Sequence, residues 1–91
     1  MLAIRYSARF HRDYKVIKKR GYDTRLLEKV IDMLSAEQPL PSRCRDHDLA
    51  GNYKGHRECH ITPDWLLIYK IKDNELILEL TRTGTHSDLF R

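Results

Sequence analysis

Apolar positions along the chain keep a helical spacing up to about residue 35 and a strand-like one from about residue 54, which predicts an α+β fold. Residues 2–6 alternate loosely and predict a short strand. Ser7 then offers an N-cap hydroxyl for a helix starting near Ala8. Phe10, Tyr14 and Ile17 recur at helical spacing, Lys18, Lys19 and Arg20 suit the negative end of the dipole, and Gly21 can take the left-handed conformation that stops the helix. Asp23 or Thr24 can cap a second helix whose stripe of Leu26, Leu27, Val30, Ile31 and Leu34 ends before Pro39. The two helices form a hairpin.

Pro39-Leu40-Pro41 cannot continue a helix, so residues 37–48 are read as a loop carrying Arg43, Cys44, Arg45, Asp46 and His47. Residues 54–61, 64–72 and 75–83 then read as three strands joined by turns at Thr62-Pro63 and Asp73-Asn74. The expectation is a single domain over residues 1–91: an N-terminal strand and an αα-hairpin packed on an antiparallel sheet of about four strands. Two-residue turns would set Lys72 opposite Glu75, Trp65 opposite Arg82, and His60 opposite Trp65. That row would cross one end of the sheet, with Asp64 beside it and His86 just past the last strand. A one-residue slip would send a side chain to the other face.

Composition narrows the class. With 91 residues, 41% hydrophobic and 33% charged, the chain suits one globular core and shows no linker or repeat. The longest apolar run, Trp65 to Tyr69, is far short of the roughly 20 residues that span a bilayer. No membrane partner is expected. The N-terminus lacks a secretory pattern, so a cytoplasmic address is expected, with Cys44 and Cys59 as reduced thiols. The net charge is +4, and residues 1–20 hold seven basic side chains against the single acid Asp13. A polyanion or an acidic partner protein would be drawn there, although a solvated basic helix face is the plainer reading.

Histidines stand at positions 11, 47, 56, 60 and 86. His56 and His60 have the spacing of a zinc-binding helix, but their segment lies among strand signals, where four residues separate two rings by roughly 13 Å. A zinc site of His47, His60, His86 and a cysteine is therefore set aside, and no metal or cofactor is expected. Metal-free RNA cleavage fits better: a 2′-oxygen attacks the neighbouring phosphorus, with a base, an acid and positive charge in attendance. His60, Asp64 and His86 at one sheet end could supply proton transfer. Lys54, Arg57 and Arg82 could hold phosphate, and Trp65 and Phe90 could receive an unstacked base. Plainer readings stand beside these: Trp65 as core, Asp64 as a turn residue, Phe90 as an anchor for the C-terminus, and His11 and His56 as surface or packed residues. Glu58 and Glu79 read as partners of basic strand neighbours.

The segment Arg45-Asp46-His47-Asp48-Leu49-Ala50-Gly51-Asn52-Tyr53-Lys54-Gly55-His56-Arg57-Glu58-Cys59-His60 resembles a stretch of the YafQ-type mRNA interferases in the RelE/ParE superfamily. Ile61-Thr62-Pro63-Asp64-Trp65-Leu66-Leu67-Ile68-Tyr69-Lys70 continues the resemblance, and Arg82-Thr83-Gly84-Thr85-His86-Ser87-Asp88-Leu89-Phe90 is similar to the family's closing motif. Together these cover more than a third of the chain. The resemblance implies a RelE-like fold and a toxin that cuts mRNA in the ribosomal A site, restrained by a cognate antitoxin. It carries catalytic positions onto His47, His60, Asp64 and His86, with Trp65 and Phe90 in support. His86 and Asp64 are the preferred acid/base pair, with His60 and His47 assisting. His56 stands where an aromatic is common, and Cys59 occupies a variable site. The alternative is a ParE-like member that binds DNA gyrase without cutting RNA; such relatives lack this His/Asp/Trp set.

Overall fold

The computed structural model describes residues 1–90. Strand β1 (Ala3–Tyr6) gives way at Ser7, whose Oγ accepts from the Phe10 amide at 2.9 Å and so caps helix α1 (Ala8–Lys19). Gly21 ends that helix at φ 84°, and the amides of Gly21 and Tyr22 return to the carbonyls of Lys18 and Ile17. Asp23 caps helix α2 (Thr24–Ser35) by accepting from the Arg25 amide. The end of α2 is stitched to the chain start: the Leu2 amide donates to the Ser35 carbonyl, and Ser35 Oγ donates to the Leu2 carbonyl.

The sheet departs from the expected four antiparallel strands in two ways. Strands β3 (Arg57–Thr62), β4 (Trp65–Lys72) and β5 (Ile77–Gly84) form the expected meander. A fifth strand, β2 (His47–Asp48), lies in the stretch read as loop, too short to show an alternation. Strand β1 runs parallel to β5, giving the order β1-β5-β4-β3-β2. No turn links β1 directly to β5, so sequence pattern could not set its direction.

The register also shifts. Asp73–Glu75 forms a 3-10 turn and Leu76 takes φ 54°, so Lys72 faces Ile77 rather than Glu75. That longer turn and a bulge between Ile68 and Tyr69 together bring Arg82 opposite Ile68, not Trp65. Another after His60 sets His60 opposite Leu66 and Thr62 opposite Trp65.

Strand β4 is apolar from Trp65 to Tyr69 because both its faces are covered there. Trp65, Leu67 and Tyr69 pack with Phe10, Ile17 and Leu27 beneath the helices. Leu66 and Ile68 pack on the opposite face with Leu89, Leu49 and Tyr53. Each such burial contributes about 1.5–3 kcal/mol. Leu89 comes from α3 (His86–Leu89), a single helical turn that sequence pattern did not predict. Among the described residues, no helix is long and apolar enough to cross a membrane.

Where β5 runs past the end of β1, polar groups complete its edge. Ser7 Oγ donates to the Thr81 carbonyl at 2.7 Å, and Asp13 of α1 accepts from the Thr83 amide at 3.2 Å.

Candidate active site

Glu58 and His60 are two residues apart on β3 and so share a face, while Cys59 between them enters the core under the helices. The Glu58 side chain is only 5% exposed. Strand β2 places His47 directly across from Glu58, with His47 Nε2 3.0 Å from Oε2. The other nitrogen of His47, Nδ1, lies 2.6 Å from the Arg45 carbonyl. Both nitrogens thus face oxygen atoms, which fixes the orientation of the ring. Among the described residues, Glu58 Oε1 has no hydrogen-bond partner; His86 Nε2 lies 3.9 Å from it. The His60 and His86 rings are 5.9 Å apart, and Phe90 is 5.8 Å from His86.

His86 is held in place by its own turn and by α1. Thr85 and Asp88 form a capping box, in which Thr85 Oγ1 accepts from the Asp88 amide and the Thr85 amide donates to Asp88. Arg20 of α1 grips the same carboxylate at 2.7 and 3.1 Å. Arg20, helped by the Thr85 backbone N–H, holds the Asp88 carboxyl well below the usual carboxylate range. A Cβ on Gly84 would come within 3.0 Å of the Asp88 side chain, so that approach needs glycine. Two turns earlier on α1, Asp13 binds Arg82 through Nε at 2.8 Å and Nη2 at 2.9 Å. That carboxylate raises the arginine's pKa, partly opposed by burial and aided by the Tyr53 hydroxyl.

Of the expected catalytic residues, the structure gathers His47, His60 and His86. Asp64 is exposed in the turn after Pro63, whose carbonyl lies 3.3 Å from His60 Nδ1. The carboxylate that joins the histidines is Glu58, which the sequence reading set aside. Counting two residues back from His60 would have placed it on the same face.

Two expected substrate contacts are corrected. Trp65 is 1% exposed, donates from Nε1 to Thr83 Oγ1 at 2.9 Å, and meets Tyr22 edge to face; its ring is core and cannot receive a base. Arg57 is occupied by Asp46, at 3.3 and 3.1 Å, and by Asp48 at 2.6 Å, and the Tyr69 hydroxyl donates to the same Asp46. It fastens the strand that carries His47 and presents no free fork to a phosphate. Lys54 is exposed before β3, and Phe90 is 42% exposed beside His86. Among the described residues, no group of three or more His, Cys, Asp or Glu side chains is arranged to hold a metal ion.

Comparison with known proteins places this geometry. Residues 2–91 match the family described as the bacterial toxin of type II toxin-antitoxin system, YafQ. The chain is 42% identical over 88 residues to the mRNA interferase toxin YafQ of Escherichia coli K12, covering 96% of this chain and 94% of that one. A metal-bound toxin from Helicobacter pylori has a TM-score of 0.93 at 49% identity, covering 99% of this chain and 100% of the other. YafQ in the E. coli DinJ-YafQ toxin-antitoxin complex has a TM-score of 0.89 at 41% identity, over 99% of this chain and 98% of that one. The class these likenesses define is the bacterial toxin of a type II toxin-antitoxin system. Within that class, the chain belongs to the YafQ family.

Proposed function

We propose that this chain is an endoribonuclease that cuts mRNA on the ribosome by attack of the RNA's own 2′-oxygen, and that a cognate antitoxin restrains it. The observation that carries the reading is the pair of imidazoles, His60 and His86, with rings 5.9 Å apart above the buried carboxylate of Glu58. One imidazole takes the proton of the 2′-hydroxyl as that oxygen bonds to phosphorus. The other gives a proton to the 5′-oxygen as the P–O5′ bond breaks. The products are a 2′,3′-cyclic phosphate, or the 3′-phosphate left by its hydrolysis, and a free 5′-hydroxyl.

Each half of this exchange leaves one imidazole charged, and Glu58 Oε1, 3.9 Å from His86 Nε2, is close enough to offset that charge on His86. His60 therefore takes the acid/base part that the sequence expectation gave to Asp64, and Glu58 is the counter-charge. Lys54 supplies a mobile cation for the phosphorane, His47 places a hydrogen-bonded imidazole beside Glu58, and Phe90 offers the exposed aromatic face, while Arg82, paired with Asp13, holds β5 against α1. The E. coli relative's description as an mRNA interferase supports mRNA as substrate, and the DinJ-YafQ complex supports an antitoxin partner. On this chain, basic α1 flanks an apolar cleft of about 250 Å³ lined by Tyr6, Phe10, Tyr14, Leu27 and Ile31, a surface suited to an acidic amphipathic segment.

The test is mapping of mRNA 5′ ends on translating ribosomes with the toxin, alone and with its antitoxin. New ends bearing 5′-hydroxyls that vanish on adding the antitoxin are expected. Intact mRNA together with inhibited DNA gyrase would overturn the reading in favour of a gyrase-binding toxin.

A further inference from the structure

Among the described residues, four arginines have their guanidinium groups held by carboxylates: Arg20 by Asp88, Arg25 by Asp23, Arg57 by Asp46 and Asp48, and Arg82 by Asp13. Arg43 and Arg45, exposed on the 3-10 turn before β2, differ. No carboxylate of the described residues makes an ion pair with either. Together with His60 and Pro63 they line a cleft of about 390 Å³. Arg45 takes φ 48°, and its carbonyl accepts from His47 Nδ1. The backbone that seats one histidine of the site thus also aims a guanidinium beside another.

We propose that Arg43 and Arg45 form a subsite for an mRNA backbone phosphate next to the one that is cut. This deepens the nuclease reading and rests on it. An unengaged arginine fork matches two phosphate oxygens, and the cleft opens onto His60, so a strand whose scissile phosphate lies between His60 and His86 would run its neighbouring phosphate into it. The subsite also supplies what Arg57, tied to Asp46 and Asp48, cannot.

The experiment is single-turnover cleavage on ribosomes programmed with an mRNA carrying the mapped cut site. It compares wild type with Arg43→Gln, Arg45→Gln, the lysine variant at each position, and Lys29→Ala as a control for lost surface charge. Each glutamine variant is expected to raise the toxin concentration for half-maximal rate by roughly 10-fold while leaving the saturating rate near wild type, with partial rescue by lysine. Thermal unfolding should be unchanged, since both side chains are exposed.

A second arm replaces, one at a time, the phosphates flanking the cut with uncharged methylphosphonates. One replacement should weaken wild type as the arginine substitutions do and add nothing to them. Strictly additive effects at every flanking phosphate would assign the arginines to ribosomal RNA and overturn the proposal, as would unshifted half-maximal concentrations. Wild-type protein that leaves this mRNA uncut would sink the nuclease reading itself, a result separable from either of those.

Discussion

His47 and His86 approach one buried carboxylate from its two oxygens: His47 Nε2 lies 3.0 Å from Glu58 Oε2, and His86 Nε2 lies 3.9 Å from Oε1. The first contact is at hydrogen-bond distance and the second is within reach of a small ring movement. One carboxylate can therefore fix the ring of His47 and face His86 at once. A buried carboxylate with an orphan oxygen is costly to the fold, and the proposed catalytic role gives that cost a purpose.

Glu58→Gln tests that arrangement. The amide keeps the size and an acceptor oxygen for His47 while removing the charge, so the fold should survive at a modest cost in thermal stability. Cleavage on programmed ribosomes should fall by about 10²-fold or more, since the imidazole that gains a proton loses its counter-charge. A near-wild-type rate would reduce Glu58 to a structural residue.

His86→Gln should also keep the fold, because α3 is held by Thr85, Asp88 and Arg20 and not by the imidazole. Glutamine cannot exchange a proton near neutral pH, and the single-turnover rate should drop by about 10² to 10⁴ with ribosome affinity retained. Wild-type cleavage by this variant would move proton transfer to His60 and His47.

The parts of this fold that local chemistry determines were readable in the sequence. Ser7, Gly21 and Asp23 cap or stop helices through their own side chain or backbone, and each does so where expected. Strand direction and register were not, because they depend on distant partners and irregular turns. Leu76 at φ 54° and the bulge beside Tyr69 leave no mark in composition, and together they moved Arg82 from Trp65 to Ile68. The histidines were legible through the family motifs, but the motifs give no depth. Only packing shows that Trp65 lies in the core and that Glu58 lies under the imidazoles.

Trp65→Ala should therefore act on stability. The ring fills the core beside Tyr22, and its loss should cost about 3–5 kcal/mol, measured by denaturant unfolding. Trp65→Phe retains most of the volume and gives up the bond to Thr83, so it should be milder and keep near-wild-type cleavage. A stable Trp65→Phe protein that cannot cut RNA would return this residue to the substrate.

Cys59 is predicted to resist alkylation in the native protein. Burial, ahead of the nearby Asp46 charge, pushes its thiol pKa above the ordinary range, so little thiolate exists at pH 8 and none is exposed. Mass spectrometry after iodoacetamide treatment should show no modification at Cys59 until denaturant is added; rapid native labelling would mean that β3 opens readily.

The contact between Arg20 and Asp88 makes the seating of His86 sensitive to acid. The folded pKa of Asp88 is depressed below its unfolded value, near 3.9 for an aspartate. Its contribution to stability is therefore complete above that value and is lost as pH falls through the folded pKa, because the unfolded chain then binds a proton that the folded one resists. Asp88→Asn removes the charge but can still cap the turn, so it should cost about 1 kcal/mol at neutral pH, the size expected of a half-exposed ion pair. That difference from wild type should shrink as pH drops below about 4. Thermal unfolding of both proteins from pH 6 to 2 gives the comparison. Hydrogen exchange at the Leu89 and Phe90 amides, which donate to the Thr85 and His86 carbonyls, reports the turn directly. Those amides should exchange faster in wild type as acid titrates Asp88, and already fast at neutral pH in Asp88→Asn. A stability gap that stays constant down to pH 2 would mean that the ion pair does not hold α3, and that the one-turn helix is kept in place by Leu89 packing on Leu66 and Ile68 alone.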